Sequence, residues 1–159
     1  NQLDLIETID TIRLHTRLPI VIPQRICHEL LDWVNRSNKK VVFVLHTNHP
    51  NEIDDHVVEA LSALRAAGAT LLNQSVLLRD VNNSPEVLVK LSRQLFNTGV
   101  LPYYLHLLDP VAGAQHFDVT EVEGINLIRQ MSSQLPGYLI PRLAREIPGA
   151  DAKQIISVA

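Results

Sequence analysis

Only one cysteine, Cys27, stands among the 159 residues, which rules out a disulfide framework within the chain. It also rules out an iron–sulfur cluster ligated by this chain alone, because such clusters take several thiolates. No run of 18 apolar residues is present, so no segment reads as a membrane-spanning helix. Neither sign of charge dominates: 14 Lys and Arg against 17 Asp and Glu give a net charge of -3. That balance offers no electrostatic reason to expect nucleic acid or an anionic membrane as partner. The opening Asn1-Gln2-Leu3-Asp4 has neither a basic leader nor an apolar signal core. It also lacks an initiator Met, so the chain is expected to begin inside a longer protein or after processing. No internal repeat or low-complexity tract appears, and no glycine-rich fingerprint follows any expected strand, which argues against a Rossmann nucleotide site.

What is present is an ordinary globular composition, 46% hydrophobic and 19% charged, with mean hydropathy +0.07. The length suits one domain, residues 1–159, with a sizeable core. A cytoplasmic location fits, and Cys27, within Ile26-Cys27-His28-Glu29-Leu30, is expected to be a small buried hydrophobe.

Segments of two periods alternate along the chain. Leu3, Leu5, Ile6 and Ile9 suggest a short opening helix. Thr11 to Ile22 reads as extended, with Pro19 and Pro23 bracketing a second apolar run, and Ile26, Leu30, Leu31 and Val34 then recur at helical spacing. Lys40 to Leu45 is a continuous apolar run, as expected of a parallel strand covered on both faces. Val57, Val58, Leu61, Leu64 and Ala67 mark a helix with Gly68 at its C-terminus, and Thr70 to Leu78 a strand. Ser84-Pro85-Glu86 starts a helix closed by Gly99, through its N-cap, N1 proline and first-turn acid. Leu101 to Leu108 is a strand, Thr120 to Leu135 a helix with Thr120 and Glu123 as a capping box, and Gly137 to Leu143 a last strand. The fold class is therefore α/β, parallel strands alternating with helices, either doubly wound or closed toward a barrel. Polar residues gather after several successive strands, as at the C-terminal face of a TIM barrel; since a full barrel takes ~250 residues, these strands make about half of one.

Four constellations carry chemistry. His46-Thr47-Asn48-His49-Pro50-Asn51-Glu52 follows a buried strand; its two histidines can ligate a divalent metal, line a cofactor pocket, or serve a loop whose Asn51 or Asp54 caps the next helix. Asn73 and Gln74 sit in an otherwise apolar strand, where a buried amide costs about 1–3 kcal/mol unless bonded, so each is expected to meet a ligand or neighbouring backbone. Asp109 ends the strand Pro102 to Leu108, where it can hold a substrate ammonium or cap the turn at Pro110. Arg142, Arg145, Glu146, Asp151 and Lys153 flank Pro148-Gly149, and Lys153 by itself reads as a solvated surface lysine.

Taken together, five stretches resemble the lysine 2,3-aminomutase family of radical S-adenosylmethionine enzymes. They are Arg17 to Arg25 (RLPIVIPQR), His46 to Ile53 (HTNHPNEI), Leu72 to Asn82 (LNQSVLLRDVN), Pro102 to Asp109 (PYYLHLLD) with Gly113 to Phe117, and Gly137 to Lys153 (GYLIPRLAREIPGADAK). The match runs along essentially the whole chain, as the C-terminal half of a partial TIM barrel of the radical S-adenosylmethionine type. The LLRDVN and LAREI stretches look like the branch that makes (R)-β-lysine for attachment to translation elongation factor P by its lysyl ligase.

The resemblance implies free L-lysine as substrate and three cofactors. A [4Fe–4S] cluster cleaves S-adenosylmethionine to a 5′-deoxyadenosyl radical, and lysine held by pyridoxal phosphate (PLP) loses hydrogen to it before its amino group moves from C2 to C3. Lys153 falls where the family has its PLP-binding lysine, and Asp109 on an acid that grips the substrate's distal ammonium. Glu146 falls on a second such acid, which is aspartate in the lysine-fermenting enzymes. His46, His49, Asn73 and Gln74 fall on the S-adenosylmethionine side, and Asn83 departs from an acidic residue. The family's CxxxCxxC cluster loop and its phosphate- and carboxylate-binding arginines are absent from this chain, so the chain alone is expected to be inactive.

Two other readings compete: a metal-dependent hydrolase built on His46 and His49, and a non-catalytic half-barrel that binds a partner or self-associates through its sheet edges. The family reading expects the parent gene to encode CxxxCxxC before Asn1; upstream codons without it would remove that reading.

Overall fold

The computed structural model describes residues 2–158. A single 3-10 turn, Gln2–Leu5, precedes the first strand, β1, Thr11–Thr16. Apart from short 3-10 turns, the remaining elements are α1 (Leu18–Val21), α2 (His28–Arg36), β2 (Lys40–His46), α3 (Asp55–Ala66), β3 (Thr70–Val76), α4 (Pro85–Asn97), β4 (Val100–His106), α5 (Glu121–Ser132), β5 (Arg142–Arg145) and β6 (Gln154–Ile155). The helix starts follow from local chemistry. Asp54 caps α3 by accepting the Val57 N–H, Ser84 caps α4 by accepting that of Val87, and Thr120 and Glu123 form a reciprocal capping box on α5. Gly68 and Gly99 follow α3 and α4 at φ +99° and +80°, conformations that cost a residue with a Cβ.

The six strands lie in strictly sequential order, β1 to β5 parallel and β6 antiparallel to β5. An order that never reverses has no switch point, which is the arrangement of a barrel wall rather than of a doubly wound sheet. The helices accordingly all bury against one face. Phe43, Leu45, Leu71 and Val100 join Val57, Leu61, Leu64, Leu91 and Leu95 in one core cluster, and Leu105 and Leu143 join Leu88, Leu127, Ile128 and Met131 in a second. Gly124 lets α5 approach closely, since a Cβ there would stand 3.2 Å from Leu107 Cδ2 and 3.3 Å from Leu143 Cδ2.

One irregularity sets the phase of β4. Asn73 pairs with Pro102 but the next residue, Gln74, pairs with Tyr104, so Tyr103 is an extra residue. Pro102 has no N–H to give the ladder, and a bulge is where a strand tolerates proline.

Four local expectations are corrected. The opening helix is the one 3-10 turn, too short to use Ile6 and Ile9 as a face. The run between Pro19 and Pro23 is helical. The Thr16 hydroxyl accepts the Leu18 N–H at 3.1 Å, Pro19 sits in the first turn where its missing N–H costs nothing, and Ile20 turns into the core. The last parallel strand is Arg142–Arg145; residues 137–139 form a 3-10 turn, and the apolar run was too short for its period to show. Cys27 is exposed, because it occupies the N-cap position of α2 instead of its apolar face.

Leu61 is fully buried between α3 and the sheet. Leu61→Ala is expected to lower the unfolding free energy by about 2–5 kcal/mol, read from urea denaturation.

Candidate active site

The side-chain period of two assigns each strand residue to one face. With Leu45, Leu71, Leu105 and Leu143 committed to the helices, His46, Gln74, Tyr104, His106 and Ala144 face the other way. The parallel register aligns them. His46 pairs with Gln74, Gln74 with Tyr104 and Tyr104 with Arg142; one step further along, Val76 pairs with His106 and His106 with Ala144. Among the described residues the core clusters join the helices to the first face only, and Gln74, Val76 and Tyr104 are half-buried on the second.

The β5–β6 hairpin completes the group. Its ladder pairs Ala144 with Ile155 and Arg145 with Gln154, so the next opposed positions are Glu146 and Lys153. Gly149, at φ +81°, lies in the turn between them. Lys153 Nζ donates to Glu146 Oε1 and also lies 5.7 Å from the centre of the Tyr104 ring, within cation–π range. Tyr104 in turn stands 5.5 Å from the His106 ring and 4.0 Å from that of Tyr103. At the other end of the row, the Gln74 amide nitrogen lies 3.2 Å from His46 Nε2, and the His46 ring meets His15 at 6.2 Å.

The electrostatics tie these residues into one neighbourhood. Burial is the main cause that lowers the His106 pKa below 6.5; the Lys153 charge and His46 add to it, while Glu146 and Asp109 oppose it. Burial likewise lowers His46, helped by His15, Arg17 and Lys153, and lowers His15, helped by Arg13 and Lys153. Glu146 is held below the usual carboxylate range, first by its hydrogen bond from Lys153. At neutral pH the face therefore carries three uncharged imidazoles beside the Glu146–Lys153 pair, with the Arg142 guanidinium in the same row as Tyr104.

Of the residues singled out by sequence, the fold brings together His46, Gln74, Glu146 and Lys153. Asp109 is exposed just past β4, in a recess of about 420 Å³ shared with Gln115, Asp118 and Arg145. His49 is engaged elsewhere: its Nδ1 accepts the Asn51 N–H at 3.1 Å, and Glu52, which accepts the His49 N–H, also pairs with Arg17 at 2.5 Å. Asn73 faces the helix layer, not the open face, and it finds its partners inside the protein. It accepts from the Thr47 N–H and donates to the Thr47 carbonyl, both at 3.0 Å, and reaches Ser75 Oγ at 2.9 Å. Asn48 and Asn82 extend this bracing: Asn48 Oδ1 accepts the Val76 N–H, and Asn82 Nδ2 donates to the carbonyls of Asn48 and Val76. Among the described residues no three His, Cys, Asp or Glu side chains converge as a metal-binding set. No helix among them is long and apolar enough to cross a membrane.

Tyr104 and His106 were not singled out from sequence. Their signal was parity: both stand an even number of residues from Asp109's neighbour Leu108 and alternate with Leu105 and Leu107, which are core.

No family model matches the chain. Among curated proteins it is 49% identical over 152 residues to L-lysine 2,3-aminomutase of Escherichia coli K12, covering 96% of this chain and 44% of that protein. It is 48% identical over 153 residues to the protein of the same name from Haemophilus influenzae, covering 96% and 45%. Over almost its whole length the chain is thus similar in sequence to part of proteins named L-lysine 2,3-aminomutase. The aminomutase of Clostridium subterminale is 36% identical over 145 residues, covering 91% of this chain and 35% of that one. The chain spans under half the length of these aminomutases. A radical SAM methyltransferase from Sphaerobacter thermophilus shares the fold, with TM-score 0.58 at 15% identity over 84% of this chain and 40% of that one. The α/β fold of this chain is thus shared with part of that enzyme.

Three imidazoles with lowered pKa bind fewer protons folded than unfolded, so stability should be full above pH 6.5 and fall as pH drops below it. Urea denaturation at successive pH values checks this; His106→Phe, which cannot titrate, should show a shallower decline.

Proposed function

We propose that this chain is the substrate- and cofactor-binding wall of a lysine 2,3-aminomutase that converts L-lysine to (R)-β-lysine. The observation that carries the reading is the Glu146–Lys153 pair, held by the hairpin register on the same open face as Tyr104 and His106. The names of the relatives give the reaction class.

The residues fit PLP. Lys153 supplies an amine that can bond to an aldehyde, Tyr104 a flat ring beside it, and both His106 nitrogens and Gln74 Oε1 are polar atoms without a hydrogen-bond partner among the described residues. PLP, when bound, supplies a conjugated ring to carry the migrating nitrogen. On the S-adenosylmethionine side the resemblance gives His46, His49, Asn73 and Gln74. Of these, His46 and Gln74 present polar atoms to the open face, whereas Asn73 and His49 hold the surrounding backbone. The [4Fe–4S] cluster takes its ligands from outside this chain and, with S-adenosylmethionine, supplies the hydrogen-abstracting radical.

The chain's own side chains then have separable tasks. Glu146 already holds an alkylammonium, that of Lys153, and the distal end of lysine is the same group. Asp109, beyond the end of β4, is the second acid offered to that ammonium. The uncharged imidazoles leave ammonium recognition to these carboxylates and add no competing positive charge. Lys153 anchors the cofactor through its amine. The LLRDVN and LAREI stretches support the branch whose β-lysine is attached to elongation factor P, a soluble cytoplasmic pathway. The single cysteine supports an inactive isolated chain.

The full-length protein, loaded with iron and supplied with lysine, S-adenosylmethionine, PLP and a reductant, should yield β-lysine by mass spectrometry; none overturns the reading. Lys153→Ala should abolish the visible absorbance of protein-bound PLP, and Asp109→Asn should weaken lysine binding at least about tenfold, as loss of a charge-paired partner does.

A further inference from the structure

His106 is only 7% exposed, and neither of its ring nitrogens has a hydrogen-bond partner among the described residues. A buried polar group left unpaired costs about 1–3 kcal/mol, so a native protein that keeps one has a use for it. Nothing in the fold around it meets the need. Its neighbours across the sheet, Val76 and Ala144, carry no polar side-chain atom. Tyr104 presents its ring, tilted 51° at 5.5 Å, and Glu146 is occupied by Lys153. The imidazole nevertheless lies on the open face, one step along the strands from the row of Gln74, Tyr104 and Arg142 and directly before the Glu146–Lys153 pair.

We propose that His106 is a binding residue of the Lys153 site, its imidazole hydrogen-bonded to a polar ring atom of the carbonyl compound that Lys153 holds. The proposal rests on the reading of Lys153 as the PLP lysine. Its chemistry is specific to a ring heteroatom and not to phosphate. The groups that act on His106 are Lys153, Glu146, Asp109 and His46; burial outweighs the two acids and leaves the ring neutral. A neutral imidazole offers one donor and one acceptor, whereas phosphate recognition calls for cations or several N–H groups together. The small side chain of Ala144 on one flank leaves the imidazole edge within reach of a bound molecule. Tyr104, in contact with both His106 and Lys153, spaces the two so that one planar molecule can meet both.

The test uses the full-length protein with PLP as probe, and compares wild type, His106→Phe, His106→Gln and Lys153→Ala by visible-absorbance titration. His106→Phe fills the same volume without a hydrogen bond. It should keep the protein-bound band but bind PLP about tenfold more weakly, as loss of one buried hydrogen bond does, with a shifted absorbance maximum. His106→Gln, which keeps a donor and an acceptor, should recover most of the affinity. Wild-type affinity and spectrum in His106→Phe would overturn the proposal alone, as would equal losses in the Phe and Gln variants, which mark a packing effect. A wild-type protein with no band, or a band that survives in Lys153→Ala, would overturn the Lys153 reading and this proposal with it.

Discussion

The parallel ladder from β1 to β5, stepped once by the extra residue at Tyr103, is the constraint on which everything else depends. Each strand shows alternate residues to opposite faces, and each is held in register with its neighbour, so a single choice of parity propagates across the sheet. The helices take one parity, and the leucines of that parity make the two core clusters. The opposite parity is left to His46, Gln74, Tyr104 and His106. A site assembled from three strands and a hairpin, far apart in sequence, is thus a by-product of packing the other face correctly.

The loops that follow the strands are fixed by a second device, buried amides. Asn73 reproduces for Thr47 the paired N–H and C=O contacts that a neighbouring strand would have given it, and Asn48 and Asn82 do the same for the backbone around Val76 and Leu78. These residues belong to the most distinctive stretches of the sequence, yet their work is to hold the chain's course past the strand ends. Positions such as His46 and Gln74 are precise because their neighbours are braced.

The alternation of strand and helix was legible in the sequence because its signals are local: the five apolar residues within Lys40 to Leu45, a capping box at Thr120 and Glu123, glycines at 68 and 99. The errors fell where local signals are ambiguous. Ile20-Val21-Ile22 is too short to distinguish periods, and Cys27 looks apolar until its place at a helix start is known. Within the site, the family resemblance drew notice to Glu146 and Lys153, and strand position with it to Asp109, but the pairing of Glu146 with Lys153 needed the antiparallel register of β5 and β6, which links residues through a turn that no periodicity marks. His106 escaped notice for the opposite reason. It lies in a strand that reads as core, and its alternation with Leu105 and Leu107 gains meaning once those two are placed against the helices.

That shift, one extra residue at Tyr103, makes the stretch intolerant of a particular kind of change. Without it Gln74 would stand opposite residue 103, and Leu105 would take the open face while Tyr104 and His106 turned among the helices. Substitution here alters one contact, whereas gain or loss of a single codon inverts the whole strand, exchanging a leucine for the imidazole and burying two polar rings. Over evolutionary time the length of this segment should therefore be far more rigid than its composition, the reverse of what holds in the exposed turn around Gly149.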